Sequence, residues 1–442
     1  MPQMFAKRRN LFGAVLGVLS ILAVGWVVHS WSGSGAMHRV HHVQGAIAGR
    51  VKVQVVLPIQ HDSYDNAHPL AHYTEHLAWL NAMGGSRDPR HHSNAWTNSH
   101  AVGYWLSGPS EDVSDILEKL FRVFEPFELP QNFAAEERSI VLREYDSRIR
   151  SNTAAQAGQE INAFLYQGNT IATSVIGTPD QIRSFTYEDA KDFHAATHRP
   201  ENATLIVTGD VSKRDIRRVV EQAGWHAPGD PLIDVATPSF DLAETDSVTL
   251  RYPDASVSPR LIWRRTVELP EPVPFDVLEA QTALLRTILD TNLAGGIAGP
   301  LRYDAAFARS FSINIWPIDE DNIELQFTAA PDRDISLSAL QVAFENAMSE
   351  ITAEGIPEDT FNRVLERFDG FWPDWTDTEE TTEWMASYVM DRVSALRDPL
   401  PEHELKRLDQ YLSLESTNAL LLELAGDGRT ATAFMGPEEV FE

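Results

Sequence analysis

The pattern of apolar and polar positions runs through one order of elements and then repeats it. RVKVQVVLPI (50–59) reads as a strand. Beyond the turn residues Asp65 and Asn66 the spacing becomes helical; Pro69 suits a first helical position and Gly84-Gly85 a stop, which predicts a helix over 69–83. SNAWTNSHAVGYWLSG (93–108), rich in β-branched and aromatic residues, predicts a strand ending at a Ser-Gly-Pro turn. Helical patterns follow over 111–124 and 133–150, and TYEDAKDFHAAT (186–197) opens on a capping box from Thr186 to Asp189. RPENATLIVTGDV then reads as a buried strand entering a turn.

From 227 to 247 the chain is rich in Pro, Asp and Thr without periodicity, which predicts a linker. The second half repeats the order: a strand (258–269), a long helix (275–292), a strand pair (310–318 and 322–330) and a helix (337–354). RTATAFMGP near the end resembles the closing ATLIVTGDV of the first half. The predicted fold class is α+β: two homologous αβ domains, 47–226 and 248–442, each an antiparallel sheet covered by helices. The 442 residues are too long for one ordinary domain, and 43% hydrophobic residues suffice for two cores.

The first residues change the picture of location. KRR (7–9) precedes LFGAVLGVLSILAVGWVV (11–28), an uncharged run that reaches about 27 Å as a helix at 1.5 Å per residue. This predicts a cytoplasmic basic tail (1–10), a transmembrane signal anchor (11–28) and a spacer (29–46). The body would then lie in the periplasm of a single-pass bacterial inner-membrane protein. The competing reading is a signal peptide cleaved in SGSGA (32–36), with secretion to the periplasm. KRRNLF also resembles a twin-arginine export signal.

Charge narrows the partners: 36 basic against 64 acidic residues, net −28, argues against nucleic acid. The acidity reads either as a solvated surface or as an interior that attracts basic peptides. With no cysteine, any metal must be held by His, Asp or Glu.

His72 and His76, in HYTEH, are four apart and share a helix face, so both imidazoles can reach one metal ion. Glu75 beside them can take a proton from water without being a ligand. Two histidines one turn apart also arise by chance, so the pair alone leaves a metal and a bland reading equally open. A third ligand must come from another segment, and Glu137 and Glu144 in ERSIVLRE, seven apart, lie two turns along one helix face. That pair also reads as a solvated charged stripe. His91, His92 and His100 read as solvated or structural, and Trp79, Trp96 and Trp105 as core and chamber lining.

HYTEHL, SNAWTNSHAVGYW, ERSIVLRE and the stretch from GTPDQIRSF to VTGDV, in that order, resemble the motifs of the pitrilysin/insulinase-type zinc metallopeptidases, the inverzincins with His-x-x-Glu-His. The branch with chains of this size includes the mitochondrial processing peptidases. The resemblance implies one Zn2+ per chain held by His72, His76 and Glu144, with Glu75 as general base on a zinc-bound water and Glu137 in support. It implies that Asn94 and Ala95 lie on an edge strand against an extended substrate, which is a peptide or unfolded protein segment. In LRYDAAFARSF, Arg302 matches an arginine that the family brings to the active site, and Arg309 stands where the family has a tyrosine. The family's chains pair around the substrate, so a homodimer or a heterodimer with a related subunit is expected. The implied activity is zinc-dependent endopeptidase; the alternative is a non-catalytic or partner-dependent scaffold subunit of the same fold.

Overall fold

The computed structural model describes residues 39–45, 48–59, 67–84, 89–222, 246–368 and 372–442. The first half runs β1 (Val40–Gln44), β2 (Arg50–Pro58), α1 (Ala67–Met83), β3 (His92–Thr97), β4 (Ala101–Pro109), α2 (Val113–Phe121), α3 (Gln131–Tyr145), α4 (Thr153–Leu165), α5 (Pro179–Ser184), α6 (Tyr187–Thr197), β5 (Thr204–Gly209) and α7 (Lys213–Gln222). The second runs β6 (Ser247–Pro253), β7 (Arg260–Glu268), α8 (Phe275–Leu289), β8 (Ala308–Pro317), β9 (Asn322–Pro331), α9 (Leu337–Glu354), α10 (Glu358–Leu365), α11 (Thr378–Ser394), α12 (Glu402–Leu405), α13 (Leu414–Ala425) and β10 (Arg429–Gly436).

The repeat read from element order is present in the topology. One five-stranded sheet has the order β1-β5-β2-β4-β3 and the other β6-β10-β7-β9-β8. Each outer pair, β1 with β5 and β6 with β10, is parallel, and every other pair is antiparallel. The sheets are therefore mixed, where purely antiparallel sheets were expected. Their parallel partners lie far apart in sequence, so no local turn signal announces them. Both closing strands end on a glycine in the same backbone conformation, Gly209 at φ 128° and Gly436 at φ 131°. A Cβ at Gly209 would stand 2.2 Å from the Arg50 carbonyl oxygen, so only glycine fits that approach.

Two further elements differ from expectation. The stretch 93–108 is a hairpin, β3 and β4, because the Asn98 Oδ1 accepts from the backbone N–H of His100 and Ala101 at 2.8 and 2.7 Å and reverses the chain. Residues 40–44, inside the expected spacer, form β1 and pair in register from Val40 with Leu205 to Gln44 with Gly209. The capping box at Thr186 and Asp189 forms as read. The expected linker overlaps 223–245, outside the described residues.

The single-pass inner-membrane location is corrected. No helix among the described residues is long and apolar enough to cross a membrane, and the 11–28 stretch on which that placement rested lies outside them.

One face of the first sheet (Val51, Val53, Val55, Leu57) packs under α1, α2 and α6. Each such fully buried aliphatic side chain contributes roughly 1.5–3 kcal/mol. The opposite face is covered by a helix from the other half: α11 lies on β1, β4 and β5, and Val56, Ala101 and Ile206 join the second half's core. The exchange is reciprocal, since α4 lies on β6, β7 and β10, with Ala157, Ile161, Leu165 and Tyr166 against Ala431, Ala433 and Met435. Beside that contact, fully buried Glu324 on β9 accepts from Arg264 of β7 through both oxygens and from the Tyr166 hydroxyl. Arg264 also donates to Asn162 Oδ1 of α4 at 2.6 Å. The two halves are thus tied through a buried ionic network.

Candidate active site

Helix α1 is buried nearly all round because it runs between the first sheet, α3 and α6. Tyr73, 1% exposed, donates to the Ala134 carbonyl at 2.8 Å and docks α1 on α3. On α3, Ala134, Glu137, Val141 and Glu144 recur at helical spacing, and apolar Ala134 and Val141 are buried there. The packing of those two residues turns Glu137 and Glu144 toward α1.

His72 and His76 face each other edge to face with ring centroids 5.0 Å apart. One ligand atom each from His72, Glu75 and His76 lies within 4.8 Å of the others. The Glu144 Oε2 lies 3.6 Å from His72 Nε2 and 3.9 Å from His76 Nε2. These distances are too long for good hydrogen bonds. The shorter falls at the upper end of the roughly 3.3–3.6 Å that separates ligands placed tetrahedrally around an ion at about 2.0–2.2 Å, and the longer lies a few tenths of an ångström above it. That oxygen is buried with no hydrogen-bond partner among the described residues, as is His72 Nδ1. His76 Nδ1 meets Glu137 Oε2 at 3.0 Å, and a proton held on Nδ1 by that carboxylate would leave Nε2 of the neutral ring to coordinate. Two imidazoles and a carboxylate with room for a fourth ligand match a catalytic zinc donor set.

Glu75, 7% exposed, accepts from the Thr97 hydroxyl at 3.0 Å. Burial pushes the Glu75 carboxyl up to about 7, against the opposing influence of His76 and the Thr97 bond. Burial, with His76 and Arg148 adding to it, lowers His72 to about 3, so its ring is neutral and free to coordinate. For His76 burial works against charge, but the Glu137 hydrogen bond and the carboxylates of Glu75 and Glu144 outweigh it and raise the pKa.

These residues line a cavity of about 630 Å³. Asn94 and Ala95 line it from β3, the outermost strand of the sheet, which pairs only with β4 among the described strands. Arg302 and Arg309 do not line it. Arg302 sits on a wide helical turn, Gly299–Tyr303, its guanidinium 5.7 Å from the Tyr303 ring. Arg309 is exposed near the start of β8. Sequence reasoning missed Thr97 and Arg148. Alternation from Ala95 places Thr97 on the same face, and Arg148 lies one turn beyond Glu144, its guanidinium 3.6 Å from Oε2.

No family model matches the chain. Over 164 residues it is 23% identical to the beta subunit of the mitochondrial-processing peptidase of Bos taurus, a match covering 35% of this chain and 33% of that protein. The chain thus spans about a third of that relative's length. Among solved structures, the first half of the periplasmic protease PqqL from Escherichia coli superposes with a TM-score of 0.74 at 16% identity, covering 91% of this chain and 90% of that one. An inactive peptidase domain from Pseudomonas fluorescens superposes at 0.69 with 15% identity, covering 91% and 96%. Over about a third of its length the chain is thus similar in sequence to processing peptidases, and over most of its length it shares the fold of solved bacterial peptidases.

Proposed function

We propose that the chain is a zinc-dependent endopeptidase acting on peptides or unfolded protein segments. The observation that carries this reading is the approach of Glu144 Oε2 to both His72 Nε2 and His76 Nε2, with Glu75 held alongside by Thr97. His72, His76 and Glu144 would hold the metal, and Glu137 would orient His76. Zinc bound there would supply Lewis-acid polarisation of a carbonyl and a lowered pKa for water.

The chain's own residues do the rest. Glu75 takes the proton of the attacking water and returns it to the leaving amine. The free side of β3, at Asn94 and Ala95, bonds the backbone of an extended chain, which selects unfolded segments over folded ones. Arg302 and Arg309 fit this scheme as residues reaching the cavity of a second chain, in a homodimer or with a related subunit. A non-catalytic or partner-dependent subunit is the second reading. The observation favouring it is that an arginine, Arg309, stands in the family's tyrosine position.

Chelation tests the proposal. Stripping the metal is expected to lower cleavage of a quenched peptide library by at least about a hundredfold, with recovery on adding one equivalent of zinc. Cleavage indifferent to chelation would rule the proposal out. Thr97→Val is expected to lower kcat about tenfold with KM little changed, because one hydrogen bond orienting Glu75 is lost. An unchanged kcat would remove Thr97 from the site.

A further inference from the structure

A second cavity, about 380 Å³, lies between the first sheet and α11, on the face opposite the His72 helix. Its sheet wall carries Lys52, Gln54 and Thr208, and its helix wall Glu383 and Ser387. Gln54 is 1% exposed, and neither its amide nitrogen nor its amide oxygen has a hydrogen-bond partner among the described residues. A buried primary amide with both ends unsatisfied is destabilising, a cost that a fold without use for it would shed.

The other half shows what the fold itself requires at this place. Aligning the closing glycines Gly209 and Gly436 makes Thr208 the counterpart of Met435 and Ile206 that of Ala433. Gln54 pairs with Ile206 and Ile262 with Ala433, so Gln54 corresponds to Ile262. In the second half these positions are apolar and pack with Ala157 and Ile161 of α4, Ile262 being half-buried. In the first half the same seat beneath the exchanged helix is open and polar. The fold accepts apolar side chains at the Gln54 and Thr208 positions, so their polarity is a property of this half and not of the architecture.

Among the described residues the charges at its two walls have no ion-pair partner. The Lys52 ammonium lies 4.7 Å from the Trp105 ring centroid and has no carboxylate within ion-pair distance among the described residues. Glu383 is exposed at the mouth and likewise has no cation. A cation on one wall, an anion on the other and an amide on the floor offering one donor and one acceptor complement a zwitterion with a peptide unit between its charges. Ile206 and Met390 supply apolar surface for a side chain. The volume falls at the low end of the roughly 300–1,000 Å³ of ligand pockets, which suits a di- or tripeptide and not a protein segment.

We infer that this cavity is a second ligand site that takes a short peptide with free termini. The peptide carboxylate meets Lys52, its carbonyl and N–H bond the Gln54 amide, and its ammonium meets Glu383. Because the ligand bridges β2 and β5 to α11, its binding joins the two halves of the chain. The inference stands apart from the chemistry at His72 and Glu75.

Calorimetric titration of the full chain with glycyl-leucine tests it. One peptide per chain is expected, and Gln54→Leu and Glu383→Gln should each weaken binding by about tenfold or more. Gln54→Leu should melt no lower than the parent, since an unsatisfied amide is replaced by an apolar side chain of similar size. The capped analogue N-acetyl-glycyl-leucinamide should not bind, and His72→Ala should leave glycyl-leucine binding intact. Absence of binding by the folded chain overturns the inference, as does binding that survives both Gln54→Leu and Glu383→Gln or disappears in His72→Ala. Free leucine binding as tightly as glycyl-leucine overturns the peptide assignment. Library cleavage measured on the same samples separates the two readings, because a chain that cleaves but does not bind glycyl-leucine contradicts this inference alone.

Discussion

Replacing Glu75 by Gln is expected to lower kcat for peptide cleavage about a thousandfold while leaving the metal content of the chain unchanged. The two side chains are nearly isosteric, and the amide oxygen can still accept from Thr97, so the local packing survives. What disappears is the ability to take a proton. Glu75 sits one helical position from His76 with its carboxylate committed to Thr97, whereas Glu144 Oε2 is the oxygen directed at both imidazoles. The substitution therefore separates base from ligand. Steady-state kinetics and metal analysis on one preparation check it. Equal rates for parent and variant would remove Glu75 from the chemistry, and a parallel loss of metal would make it a ligand.

The second large effect is on stability. Glu324→Ala is expected to cost about 3–5 kcal/mol, because it leaves Arg264 buried without its carboxylate and frees the Tyr166 hydroxyl. At domain sizes near 200 residues that corresponds to a fall in Tm of roughly 10 °C. Removing both charges together, Arg264→Met with Glu324→Leu, should recover most of the loss, since a filled apolar contact replaces an uncompensated ion. Thermal or urea unfolding of the three variants reads this directly. A double variant as unstable as Glu324→Ala would mean that the ionic network holds α4 on the second sheet in a way apolar packing cannot.

Local periodicity carried most of the fold. The helix around HYTEH, the strand pair 322–330 with its neighbour and the helix 337–354 all follow from spacing and punctuation within a few residues of themselves. The features that escaped are long-range. β1 pairs with β5 some 160 positions away, and α4 and α11 each cross to the other half's sheet, so the apolar faces that specify them have partners no local window contains. The hairpin at Asn98 was local but hidden, because its strand residues are equally β-prone on both sides of the turn.

The same division runs through the site. His72, His76, Glu137 and Glu144 come together because helical spacing puts each pair on one face. Thr97 and Arg148 join them through a strand edge and a turn beyond the helix. Arg302 and Arg309, taken from the resemblance, lie on the second half away from the cavity, and nothing in their own sequence signals where they point.

The proposed function requires that His72, His76 and Glu144 hold one zinc ion. Elemental analysis of the purified full chain beside His72→Ala/His76→Ala tests it most directly. Close to one zinc per parent chain is expected, and nearly none in the folded double variant. A folded parent chain without zinc, or a variant that retains it, would rule out this ligand set.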